Sequence, residues 1–106
     1  MPHILLEVCV DTPAGFNAAV EGGADRIELC SSLSVGGLTP SPGFMAFAAK
    51  AARPSRAMIR PRVGSYVFSE EEIDVMRRDI DAGIGIELQL DRRIGMADAI
   101  DQRRQP

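Results

Sequence analysis

The sequence predicts an α/β protein built on a parallel sheet, and three observations carry that prediction. An apolar and β-branched run at His3–Val10 is followed by two short strand-like runs, Asp25–Cys30 and Arg56–Arg62, in which apolar and polar residues alternate about Ile27/Leu29 and Ala57/Ile59. Each is followed by a helix-start signal: Thr12-Pro13, Ser41-Pro42 and the Ser69/Glu72 pair. Strands that alternate with helices in this way are neighbours joined by right-handed crossovers, because no tight turn can link parallel strands.

The first run reads as a buried strand. Alternate side chains leave opposite sides of the pleat, so Glu7 and Cys9 share one face and Leu6, Val8 and Val10 the other. Asp11 or Thr12 can cap the following helix, and Pro13 suits its first position, where no N–H is needed. Phe16, Ala19, Val20 and Gly23 form its apolar stripe, and Gly22-Gly23 ends it.

The stretch from Ala24 to Gly43 organises the chain. A second strand, Asp25–Cys30, puts Glu28 and Cys30 on one face, runs into a polar loop, and gives way to a helix opened by Ser41-Pro42. That helix is expected to turn Phe44, Phe47, Ala48 and Ala51 inward, and Arg53-Pro54 stops it. The third strand, Arg56–Arg62, sets Met58, Arg60 and Arg62 on one side and Ala57 and Ile59 on the other. Pro61 cannot donate to the ladder, so the strand ends or bulges there.

Ser69 and Glu72 have capping-box spacing, and Ile73, Met76 and Ile80 continue as a helix stripe. Asp74/Arg78 and Arg77/Asp81 are i,i+4 pairs worth about 0.2–0.5 kcal/mol each. Residues 83–90, Gly-Ile-Gly-Ile-Glu-Leu-Gln-Leu, are expected as a fourth strand. From Asp91 to Pro106 the chain is polar and arginine-rich without a stripe, and reads as irregular or weakly helical. The expected organisation is three strand–helix units over residues 1–82 and a divergent tail over 83–106.

Composition narrows the function. At 106 residues the chain is a single domain, and a net charge of −3 with a pI near 5.1 argues against nucleic acid or an anionic membrane as partner. The longest apolar run, Ile4–Val10, is interrupted by Glu7, so no membrane span and no signal peptide are expected. Two cysteines without an export signal imply reduced thiols in a cytoplasmic protein.

If the strands belong to a barrel, the inward faces are Glu7/Cys9, Arg26/Glu28/Cys30 and Met58/Arg60/Arg62. Barrel cores are normally filled by branched apolar side chains, so this one is unusually polar. One reading is a structural ion-pair network of Glu7, Glu28 and Arg60, since isolated buried charges are costly. The other is a site at the mouth, where Cys9, Cys30 and Arg62 approach the C-terminal strand ends. Two thiols at matching heights on adjacent strands, about 4.8 Å apart, could share a soft metal such as Cu(I), or could simply be small buried hydrophobes. His3, at the other end of its strand, reads as a surface residue.

The strings LLEVCV, GGADRIELCSSLSVGGLTPSPG, and IRPRVG followed by SYVFSEEEIDVMRRDI occur in this order. Together they resemble the N-terminal part of the CutC family of copper-homeostasis proteins, over about residues 4–81. The resemblance implies a TIM-type (β/α) barrel, of which three to four parallel strand–helix units are present, and a cytoplasmic protein of copper tolerance. It makes Cys9 and Cys30 candidate Cu(I) ligands and Glu7, Glu28, Arg60 and Arg62 candidate pocket residues. It names a process rather than a reaction, so no catalytic residue follows from it and an enzymatic role stays open.

A complete barrel of this kind has about 250 residues. The chain is therefore expected to be a truncated or frameshifted product whose resemblance stops near Gly83, and its open sheet edges favour self-association or a homo-oligomer. Two other readings stand beside copper handling. One is a barrel enzyme in which Glu28, Arg60 and Arg62 hold a small anionic substrate; the other is a fragment without function.

Overall fold

The computed structural model describes residues 4–51 and 53–85, and the backbone of 89–90. Strands β1 (Glu7–Val10), β2 (Arg26–Leu29), β3 (Ser55–Ala57) and β4 (Gln89–Leu90) lie side by side in chain order, all parallel. Helices α1 (Pro13–Glu21), α2 (Pro42–Ala49) and α3 (Glu70–Gly85) make the crossovers. The register pairs Cys9 with Glu28 and Val10 with Leu29, then Glu28 with Arg56 and Leu29 with Ala57.

Local chemistry starts each helix where the sequence signals it. Thr12 caps α1 by accepting from the Gly15 N–H at 2.9 Å, with Pro13 in the first turn. Asp11, the other candidate cap, instead accepts from Leu33 N–H at 3.1 Å and ties the end of β1 to the loop after β2. Ser41 caps α2 through Phe44 N–H, and Ser69 and Glu72 cap α3 reciprocally at 2.8 and 3.1 Å.

The helices pack on one side of the sheet. Val10, Ile27, Leu29 and Ala57 meet Phe16 from α1 and Met45 and Ala48 from α2 in one cluster. Cys30, Met58, Ile59 and Phe68 meet Ile73, Met76 and Ile80 of α3 in a second, at the strands' C-terminal end. Each large side chain so buried contributes about 1.5–3 kcal/mol.

Three expectations need correction. The inward side of α2 gains Met45 beside Ala48, with Phe44 and Ala51 partly buried against the same cluster as expected, whereas Phe47 is 42% exposed. Phe47 sits edge-on to Phe16 with ring centroids 5.5 Å apart and stacks on Phe44 at 6.3 Å, so these rings join α1 to α2 above the core.

The third strand begins at Ser55 and ends at Ala57, well short of Arg62. Beyond it the hydrogen-bond partner changes: Met58 N–H donates to Leu29, but Arg60 N–H donates to the Thr39 hydroxyl, and Thr39 N–H returns a bond to the Arg60 carbonyl. The chain leaves the ladder to brace the loop between β2 and α2.

The predicted fourth strand does not start at Gly83. Gly83 is buried on the same stripe as Ile73, Met76 and Ile80, so helical periodicity runs on to Gly85, and the strand is confined to Gln89–Leu90. His3, residues 86–88 and the tail 91–106 lie outside the described residues.

Candidate functional site

Parallel register sorts the face of the sheet away from α1 and α2 into three rows, because residues at one height on neighbouring strands point the same way. The first row is Glu7 and Arg26, joined by a 2.7 Å ion pair from Nε to Oε1. The second is Cys9, Glu28 and Arg56, in which the Cys9 Sγ lies 3.9 Å from Oε2 of the buried Glu28. The third follows from the ladder running one residue past β2 and β3: Cys30 N–H donates to Val10 and Met58 N–H to Leu29, placing Cys30 beside Met58.

The two cysteines are therefore not at matching heights. Cys9 stands against Glu28 and is exposed, whereas Cys30 lies a row nearer the mouth and is buried. Both are thiols rather than a disulfide. Among the described residues no group of three or more His, Cys, Asp or Glu side chains comes together.

The candidate arginines behave differently from one another. Arg60 is 91% buried by its 9% exposure, and its Nη1 donates to the Val35 and Gly37 carbonyls at 3.0 and 3.1 Å. Its guanidinium lies 5.5 Å from the Tyr66 ring centre, its Nε has no partner, and no carboxylate meets it among the described residues. A Cβ on Gly36, whose φ is +92°, would come within 3.2 Å of that same Nη1, so the close approach needs glycine.

Arg62 is engaged in holding its own loop. It binds both carboxylate oxygens of Glu72, the carbonyls of Val63, Ser65 and Val67, and lies 4.8 Å above the Phe68 ring centre. These bonds, the guanidinium's first of all, hold the Glu72 carboxyl below its ordinary value of 4.5. The sequence groups Arg62 with Arg60 at a mouth; the structure assigns it to a clamp between the end of β3 and the first turn of α3.

A cavity of about 400 Å³ opens at the C-terminal ends of β1 and β2. Asp11, Cys30, Ser31, Ser41, Phe44 and Phe47 line it, so of the six residues singled out from the sequence only Cys30 borders it. Two residues were missed by sequence reasoning. Arg56 has the same parity as Met58 and Arg60 and stands level with Glu28, a signal legible in the strand pattern. Met58 was placed on the correct face but its sulfur was given no role.

Strand after strand in parallel, each followed by a helix on the same side, with a polar opposite face and a cavity at the C-terminal strand ends, defines a segment of a (β/α) barrel. The CutC family model matches residues 4–101, and the chain belongs to that family. The CutC family protein of Rhizobium meliloti (strain 1021) is 63% identical over 82 residues, 77% of this chain and 34% of that protein. The CutC family protein of Sinorhizobium medicae (strain WSM419) is 55% identical over 104 residues, 93% of this chain and 42% of that one.

Likeness to the family thus reaches further along the chain than the quoted strings, and the chain spans roughly a third to two-fifths of these curated relatives. A crystal structure from Streptococcus agalactiae, provisionally described as the copper homeostasis protein CutC, superposes with a TM-score of 0.77 at 32% identity. It covers 83% of this chain and 44% of that one. The α/β barrel-type fold expected from the sequence is therefore the fold of the chain.

Proposed function

We infer that the chain serves copper homeostasis by binding Cu(I) at the C-terminal ends of β1 and β2, with Cys30 as the principal ligand. The observation that carries this reading is the buried Cys30 thiol at the end of β2, one row nearer the mouth than Cys9, in a residue that borders a cavity of about 400 Å³. Thiolate sulfur prefers soft monovalent copper, and a reducing cytoplasm supplies copper in that form. Family membership and the description of the Streptococcus agalactiae protein support the same process. Cys9, a row away beside Glu28, is placed to receive or pass on the ion rather than to complete its coordination.

The test is an anaerobic Cu(I) titration of the purified chain against a chromophoric competitor. About one tightly bound Cu(I) is expected, and its loss in the Cys9→Ser/Cys30→Ser double variant; binding unchanged in that variant overturns the reading.

One observation favours a second ligand class. The buried Arg60 guanidinium, with no carboxylate partner among the described residues and an unpartnered Nε, suits a small carboxylate or phosphate. A thermal-shift screen of such anions would raise the Tm of the chain but not of Arg60→Gln; no shift with any anion removes this reading. The edge strand β1, preceded by exposed Ile4, Leu5 and Leu6, also favours self-association, which sedimentation over a concentration series would detect.

A further inference from the structure

We propose that Met58 supplies the second sulfur of the copper site, so that Cu(I) is held between the Cys30 thiolate and the Met58 thioether. The inference rests on the copper reading above and replaces the two-cysteine site with a cysteine–methionine one. Its first support is the register: the ladder bonds at Cys30 and Met58 put these two residues, and not the two cysteines, side by side.

The second support is Gly37, at φ +93° in the loop that folds over the strand ends. A Cβ built there would stand 2.9 Å from the Met58 Sδ and 3.3 Å from the Cys30 Sγ, so both sulfurs border the one small space that the glycine leaves. Any other residue would fill that space and push the sulfurs away.

The third support is charge. Cys30 is 0% and Met58 6% exposed, in a cluster with Ile59, Phe68, Ile73 and Met76. Binding Cu⁺ converts the Cys30 S–H to thiolate, the proton leaves to solvent, and a Cu–S bond forms; the thioether adds a lone pair and no charge. The bound unit is neutral. Two thiolates on one Cu⁺ would leave a net negative charge in the same apolar surroundings, which burial disfavours strongly. A neutral thioether also discriminates against Zn²⁺, which prefers thiolate, imidazole and carboxylate ligands.

The test uses the full chain grown with selenomethionine, loaded with one Cu(I) and read by X-ray absorption at the selenium edge. A copper neighbour is expected on one selenium of the chain's five methionines, lost in Met58→Leu, with Cu(I) affinity falling at least about tenfold, which is 1.4 kcal/mol. One bound Cu(I) without any selenium neighbour leaves the copper reading standing and overturns the role of Met58. A selenium neighbour that persists in Met58→Leu overturns it as well, and failure of the native chain to bind Cu(I) overturns both. Should Met58→Leu not fold, methyl-¹³C methionine spectra of the native chain decide. The Met58 methyl, placed by its sequential NOEs, shifts on adding one Cu(I), and an unmoved methyl contradicts the proposal.

Discussion

Cys9 and Cys30 leave neighbouring strands toward the same side of the sheet, yet they inhabit different chemistry. Cys9 lies in a row with a buried carboxylate and an arginine and is open to solvent; Cys30, one row on, lies in a dry cluster beside a thioether. Height along the strand separates a charged row from a sulfur row. The two arginines after β3 teach the same lesson: Arg60 turns inward to brace a neighbouring loop, and Arg62, two residues later, clamps its own.

The largest effect that would break this contrast is thiol reactivity. In the folded chain Cys9 is expected to be alkylated readily, while Cys30 reacts only through opening of the core, slower by about 10³ or more. Peptide mapping of a timed iodoacetamide reaction reads both rates, and equal rates would erase the distinction between the rows.

Next in size is the Arg62 clamp. Arg62→Ala removes the donor to three carbonyls and leaves the Glu72 carboxylate only its bond from the Ser69 N–H, and a lower urea midpoint than that of the native chain is expected. Arg62→Lys should recover little, because a point ammonium cannot reach this spread of acceptors as a planar fork does. Full recovery by lysine would reduce the clamp to simple charge pairing.

Glu72 gives the contrast a pH dependence. Its folded-state pKa is lowered, so its contribution to stability is fully present above the ordinary value of 4.5 and is lost as pH falls through the lower folded value. Glu72→Gln is expected to be less stable than the native chain at pH 7, with the gap closing on acidification; a constant gap from pH 7 to 3 would show that charge is not what Arg62 recognises.

Asp79 provides the smallest effect, with the opposite sign. Burial raises its pKa above the ordinary 3.8, so its ionised form costs stability at neutral pH and that cost disappears as pH falls through the raised value toward 3.8. Asp79→Asn should raise Tm slightly at pH 7 and not at pH 3; a lowered Tm at pH 7 would mean that the carboxylate has a stabilising partner.

Much of the fold was legible because short-range rules and tertiary packing agree. Thr12-Pro13, Ser41-Pro42 and Ser69/Glu72 start their helices as their spacing dictates, and alternation along β1 and β2 separates the helix-facing residues from the polar ones. Disagreement arose where a distant partner decides. Thr39 draws Arg60 out of the ladder and shortens β3, and the burial of Gly83 under the α3 stripe extends a helix through a glycine pair that reads as a strand start. The site was legible as a face but not as rows, since register is set between strands and no single strand carries it. That is why Cys9 and Cys30 read as a pair, and why neither the nearness of Met58 to Cys30 nor the level of Arg56 with Glu28 is read from one strand alone.

The central claim is that copper selects the sulfur row over the charged row. Cu(I) affinities of Cys9→Ser and Cys30→Ser, measured side by side against one competitor, test it most directly. The account predicts that Cys9→Ser keeps one Cu(I) within a few-fold of the native affinity and that Cys30→Ser loses it by about a hundredfold or more. Retention by Cys30→Ser with loss in Cys9→Ser would contradict it.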